Sequence, residues 1–274
     1  MVMLNRQPIS TEDIGPLVIQ PVTAGSIAFE TSTTVTTSGF TFRVPLVTDD
    51  PTAAWVAEGQ DIPVSDADLD ELTITPRKVA GLTIISRELA DDSSPAAAAV
   101  VGEGLARDIA RRVDQAWFAA LPAPAPSGLA ALSGIQTVTA TGGFTNLDAF
   151  AEAVSKAEQV GAQVTSFVTH PSTALALAKI KTADGSPVPL LGQDPTAAGQ
   201  RRILGVELRT SPAVAAGTVW GYDRSRVWTV LRDDVTLDVD RSRYFESDRV
   251  AIRATMRVGF AFGHPQSVVK VVTA

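Results

Sequence analysis

Between Ala53 and Leu121 the sequence couples two shapes that together leave little room for a concave site. The first is a long polar hairpin pattern, AAWVAEGQDIPVSDADLDELTITPRKVAGLTIIS, in which Trp55–Val56 and Leu72–Thr75 are strand-like runs on either side of the acidic stretch Glu58–Glu71. The second is a single long helix. Ser94 supplies its N-cap and Pro95 its first helical position. Val101, Leu105, Ile109, Val113, Trp117 and Leu121 then keep one face apolar at every fourth position. Four residues overshoot a helical turn by roughly 40°, so the stripe drifts around the helix and needs a broad or wrapping partner. Helical from Pro95 to Leu121, the segment is about 40 Å long. An arm and helix of this kind offer edge for contacts between copies, which points to a building block before an enzyme.

The flanks fit around that unit. Residues 1–30 carry Pro8, Pro16 and Pro21 with little periodicity, and read as an extended arm lying over something, or else as a frayed terminus. Leu17, Val18, Ile19, Val22 and Ile27 are too apolar for a free tail and favour the arm. Thr31–Val47 is a strand signature, as is Val79–Ile85. The tract Pro122–Pro126 ends the long helix and marks a boundary. After it come a helix from Leu147 closed by Gly161, a strand at Ser166–Thr169 and a helix from Pro171 to about Lys181. Gly185–Gly199 is a loop. The last third reads as strands: Val227–Leu231 and Val235–Val239 flank a turn at Arg232-Asp233-Asp234, and 250–258 alternates apolar with charged residues. The class is α+β.

Familiar chemistry is missing. There is no Gly-x-Ser-x-Gly elbow, Walker A loop or His-Glu-x-x-His helix. Val101-Gly102-Glu103-Gly104 lacks the third glycine of a dinucleotide fingerprint and follows an alanine run, not a strand. The acids at Glu58, Asp61, Asp66, Asp68, Asp70 and Glu71 lack calcium-loop spacing and read as a solvated loop. His170 and His264 each precede a proline and read as turn residues. No catalytic constellation, cofactor or metal site is expected. With no cysteine, disulfides and thiolate metal sites are excluded. A net charge of −7 argues against a dedicated nucleic-acid binder. Arg107, Arg111 and Arg112 lie off the helix stripe and either solubilise it or face a polyanion. No apolar run approaches a membrane span.

Several short segments occur in a telling order: Ala54-Trp55-Val56-Ala57-Glu58-Gly59, Ile62-Pro63-Val64-Ser65, Pro76-Arg77-Lys78-Val79-Ala80 and Ile85-Ser86-Arg87-Glu88-Leu89. They continue through Pro126-Ser127-Gly128-Leu129, Val168-Thr169-His170-Pro171, Ile203-Leu204-Gly205-Val206, and Asp248–Ala254 with Arg257-Val258-Gly259. From about Ala53 to Lys270 this series resembles tailed-bacteriophage major capsid proteins of the Hong Kong 97-type fold. The resemblance implies an N-terminal arm at 1–35 and an extended hairpin loop at 50–80. It implies a peripheral domain from 36–49, 81–128 and 226–256, and an axial domain from 129–225 and 257–274. It implies subunits ringed into pentamers and hexamers as an icosahedral shell around double-stranded DNA, assembled in the host cytoplasm and ending in the virion. Partners would be other copies, a separate scaffold protein, a portal, a possible cement or decoration protein, and DNA held by weak non-specific contact, with no membrane. Trp55, Glu58, Ile62, Asp70 and Arg77 are the expected inter-subunit residues of the hairpin, and Arg107 and Arg111 the expected DNA-facing ones. An encapsulin-type nanocompartment enclosing a cargo enzyme is the alternative on the same fold.

Two departures from the family pattern matter. Some members lock the shell by an isopeptide bond between a hairpin lysine and a neighbour's asparagine. Here no lysine precedes Lys78 and the asparagines are Asn5 and Asn146, so no such cross-link is expected. Some members also carry a long N-terminal scaffolding domain, and none is expected fused to this chain.

Overall fold

The computed structural model describes residues 25–49, 51–61, 63–64, 68–88, 96–183, 186–191 and 201–273. Its elements begin with α1 (Ile27–Thr31), β1 (Thr33–Thr37), β2 (Phe42–Asp49), β3 (Asp68–Ile74), β4 (Arg77–Ser86) and α2 (Ala96–Phe118). There follow β5 (Gln136–Ala140), α3 (Asp148–Gln159), β6 (Ser166–Thr169), α4 (Pro171–Ala178), β7 (Arg201–Ile203) and β8 (Val206–Thr210). The chain closes with β9 (Thr218–Tyr222), β10 (Val227–Asp240), β11 (Arg249–Phe262) and β12 (Val269–Thr273).

A four-stranded sheet in the order β1-β10-β11-β4 receives α2 on one face. Alternation puts Ile252, Ala254, Met256, Val258, Phe260 and Phe262 of β11 on that face, where they meet Ile109, Val113 and Trp117 of the helix. The apolar stripe enters this core progressively: Val101 and Leu105 are half-buried, whereas Val113 and Trp117 are almost fully enclosed. Ala106 and Ala110 widen the buried face on the side towards which it drifts, and Ala116 widens it on the other. Trp117 is the hub, with Phe260 edge-on at 4.9 Å, Phe262 at 5.0 Å and Tyr222 at 6.2 Å between ring centroids. The helix stops at Phe118, earlier than the sequence suggests, and Leu121 lies exposed beyond it. Gly128 presses against the helix's last turn so closely that a Cβ there would stand 2.0 Å from the Ala116 carbonyl oxygen.

A six-stranded sheet, β5-β12-β9-β6-β8-β7, carries α3 and α4 over a second core of Phe150, Phe167, Leu177, Ile203, Val219 and Val271. Phe150 and Phe167 meet edge to face at 5.5 Å. Gly161, at φ +66, turns the chain after α3 as expected, while α4 ends at Ala178, short of Lys181. Strand β9 serves both cores: Val219 points into the second, Trp220 and Tyr222 into the first.

Two expectations are corrected. The segment around Arg232-Asp233-Asp234 is not a hairpin turn. It lies within the single 14-residue strand β10, and the register against β11 shifts between Arg232 and Thr236, a bulge that absorbs the acidic pair. The hairpin pairs 42–49 with 68–74, and Trp55–Val56 belongs to its tip, where no strand among the described residues pairs with it. Residues 25–35 lie along the body: α1 packs on α2, and β1 pairs in parallel with β10 from Thr33↔Trp228 to Thr37↔Arg232. Residues 1–24, and most of the loop expected at 185–199, lie outside the described residues.

Candidate assembly surfaces

The hairpin β2–β3 is rooted on the sheet face that α2 leaves uncovered. Ile74 packs there with Val230 and Ala261, joined by Phe42, Val44, Leu72 and Trp228. Beyond this root every described residue from 51 to 64 is exposed. Trp55 has 106% relative exposure and Val64 92%, values that only a side chain touching nothing attains. Glu58 and Asp61 stand in the same stretch, and no lysine or arginine occurs between Pro51 and Pro76. The tip is therefore apolar and acidic together.

The predicted hairpin residues are not gathered at one point. Trp55 and Glu58 share the tip. Asp70 sits on β3 opposite Leu46, its carboxylate accepting from the Glu71 amide at 2.7 Å, while Glu71 pairs with Arg43 at 3.3 Å. Arg77 opens β4 at the root, opposite Val258. Ile62 lies outside the described residues. On α2, Arg107 and Arg111 are both exposed, and Arg107 is matched one turn away by Glu103 at 3.6 Å, as Arg112 is by Asp108 at 3.8 Å. Such i,i+4 pairs fit a solvated helix face and lower its net attraction for a polyanion.

Two groups that sequence reading passed over stand out. Asp114, 7% exposed on α2, accepts from Ser26 Oγ at 2.6 Å, Ala28 N at 3.0 Å and Ile27 N at 3.3 Å. It thus caps α1 from another helix, where Ser26 at the N-cap position makes no capping bond itself. Burial pushes its carboxyl above the usual carboxylate range, against the pull of these three bonds. Nearby, Thr31 and Tyr222 hydroxyls meet at 2.6 Å, Ser32 and Thr229 at 2.6 Å, and Glu30 pairs with Arg209. Enclosure raises the Tyr222 phenol as well. The second group is a cross-strand row of Arg232, Arg257 and Lys78, assembled by register from three distant parts of the sequence.

The histidines behave as turn residues. His170 caps α4, its Nδ1 accepting from the Ser172 amide at 3.2 Å. His264 Nδ1 lies 3.2 Å from Arg226, and burial, then that guanidinium, hold its pKa below the ordinary value. Among the described residues no group of three or more His, Asp or Glu side chains could hold a metal ion. A groove of about 620 Å³ runs between β4, α2 and the proline tract, but its acid, Asp108, is paired with Arg112, and Lys78 is the one side chain in its lining that could act as a nucleophile or base.

Among the described residues the chain is a sheet-and-spine body with a projecting hairpin, and no reaction centre converges on it. The chain belongs to the phage capsid family, whose model matches residues 12–273. It is a major capsid protein of the Hong Kong 97 type, a structural component of the virion and not an enzyme. The fold is similar to that of solved chains from Mycobacterium phage Adephagia, at TM-score 0.77 and 20% identity over 91% of this chain and 90% of that one. Mycobacterium phage Cain gives 0.75 and 22% over 91% and 90%. The capsid of a native GTA particle, computed with C5 symmetry, gives 0.73 and 19% over 100% and 94%. A capsid polyprotein of Pseudomonas phage PAJU2 is 37% identical over 75 residues, which span 27% of this chain and 11% of that protein.

Proposed function

We propose that this chain rings into pentamers and hexamers and closes an icosahedral shell around double-stranded DNA, with the hairpin laid as a strap over an adjacent subunit. The observation that carries this reading is the tip from 51 to 64, exposed throughout with Trp55 wholly free. A tryptophan left in water forfeits a large burial energy, which an inter-subunit seat recovers. The C5 symmetry of the GTA relative supports the pentamer. In the same reading the sheet carrying α2 forms the peripheral domain and the six-stranded sheet the axial domain around the ring centre. A separate scaffold, a portal and a cement or decoration protein complete the assembly, and DNA is held by weak contacts that include Arg111.

With no lysine in the hairpin before Lys78, the strap holds without an isopeptide bond. Cryo-electron microscopy of particles from the expressed chain tests the proposal, with closed shells and hairpins crossing subunit boundaries as the expected result. Particles whose hairpins fold back on their own subunit would overturn it. Boiling the same particles in denaturant should release a single subunit band on a gel, and a covalent ladder would contradict the non-covalent strap.

A further inference from the structure

The sheet face that α2 leaves open carries a charge pattern opposite to that of the chain. Arg232 on β10 is opposed by Arg257 on β11, and Arg257 by Lys78 on β4, so three cations stand side by side on one face. Directly opposed side chains lie about 5 Å apart at Cβ, a distance at which like charges repel. Arg232 and Arg257 also engage groups of their own chain, so the row is not bare charge. Lys78 is exposed at its outer end, on the edge strand of the sheet.

Next along the face, Thr236 and Thr255 are opposed with hydroxyls 2.7 Å apart. These threonines, Lys78 and Arg257 line a hollow of about 180 Å³. Two cations, with the one threonine hydroxyl whose proton is not given to the other, are a donor set that suits a carboxylate, and Arg257 has donors to spare beside the group it already engages. Beyond the hollow, Leu82 and Ile84 of β4 are 62% and 40% exposed, next to an Arg253–Asp238 pair at 2.6 Å. The receiving face is thus cationic, then apolar. The hairpin tip offers the complement: Glu58 and Asp61 with no cation among them, and Trp55 a few residues away.

We propose that the hollow between Lys78, Arg257, Thr236 and Thr255 is a carboxylate seat for the hairpin tip of a second copy of this chain. Glu58 or Asp61 enters it while Trp55 covers Leu82 and Ile84. This deepens the strap reading and rests on it, adding the seat and the chemistry of the contact. The contact is ionic at its centre, so salt weakens it, with screening setting in over about 8 Å at physiological ionic strength.

The test is a charge swap in the full chain, read as the yield of closed particles by sedimentation and electron microscopy. Lys78→Glu with Arg257→Glu, or Glu58→Lys with Asp61→Lys, should each lower the yield roughly tenfold or more, and all four together should restore it. Thermal denaturation of each variant identifies any that fails to fold. For such a variant Lys78→Gln and Asp61→Asn replace the reversals, and the expected result is a yield that no longer falls as salt is raised. Reversals without effect, or disruption that the combination does not rescue, would overturn the seat while leaving the shell reading intact. Normal shells emptied of DNA by the Lys78 and Arg257 changes alone would assign the row to nucleic acid and overturn it equally. A wild-type chain that forms no shells would instead overturn the strap reading itself.

Discussion

Replacing Asp114 with alanine should loosen the point where the N-terminal segment joins the body. The carboxylate serves three donors, Ser26 Oγ and the amides of Ile27 and Ala28, in a site where water does not substitute. A buried donor left without a partner costs about 1–3 kcal/mol, and loss of a helix cap about 0.5–2 kcal/mol. Relief from burying the carboxylate offsets part of this, leaving a net loss of about 2–3 kcal/mol. If that loss appears as local opening, the amides of 26–32 should exchange with deuterium about 30- to 150-fold faster, at tenfold per 1.4 kcal/mol. Ser26→Ala, which removes one donor, should show a smaller change. The pH dependence has a definite sign: because the folded carboxyl is raised, the proton-linked part of its contribution is fullest below its ordinary pKa of 3.8 and is lost as pH rises through the raised value, while the ionised group goes on holding its three donors. Asp114→Asn should remove that slope. Unchanged exchange across 26–32 in Asp114→Ala, measured by mass spectrometry, would refute the reasoning.

Other outcomes follow from single contacts. Gly128→Ala places a methyl against the carbonyls of Ala116, Trp117 and Ala119 and should cost about 3 kcal/mol or more in denaturant unfolding, whereas Gly25→Ala, with open space around it, should change stability by less than about 0.5 kcal/mol. His264 is depressed when folded, so its contribution is present above its ordinary pKa of 6.5 and lost as pH falls through the folded value. His264→Gln should therefore flatten the melting temperature between pH 7 and the acid side of that value, and a wild-type slope retained in the variant would count against this. Trp55→Ala should leave the unassembled subunit's melting temperature unchanged while lowering particle yield, since the ring touches nothing within its own chain.

Much of this could be read from the sequence because it is local. The stripe from Val101 to Trp117, the proline after His170 and the glycine after α3 each act within a few residues of themselves, and the structure places them as read. What failed depended on partners far along the chain. Asp233-Asp234 has turn chemistry, but β11 runs unbroken from Arg249 to Phe262 and holds β10 to it on both sides, so the acids become a bulge. Trp55–Val56 has strand composition, but strand preference is largely a preference for a half-covered surface, and none is supplied. The Lys78–Arg257–Arg232 row and the Asp114 cap join residues 86 or more positions apart or on separate strands, and no spacing rule announces them.

Strand β9 has a consequence for how such a subunit adapts to its neighbours. Because adjacent residues of one strand, Val219 and Trp220, are locked into different cores, the strand acts as a party wall between the two halves. Bending there would open both cores at once, and close-packed interiors resist that. The two cores therefore share one packed wall, and a tilt of either half is resisted by the packing of both. Fitting the subunit to flatter or more sharply curved places in a shell falls to what projects from its rim, above all the hairpin, and curvature becomes a matter of hinges at the edges and not of give in the middle.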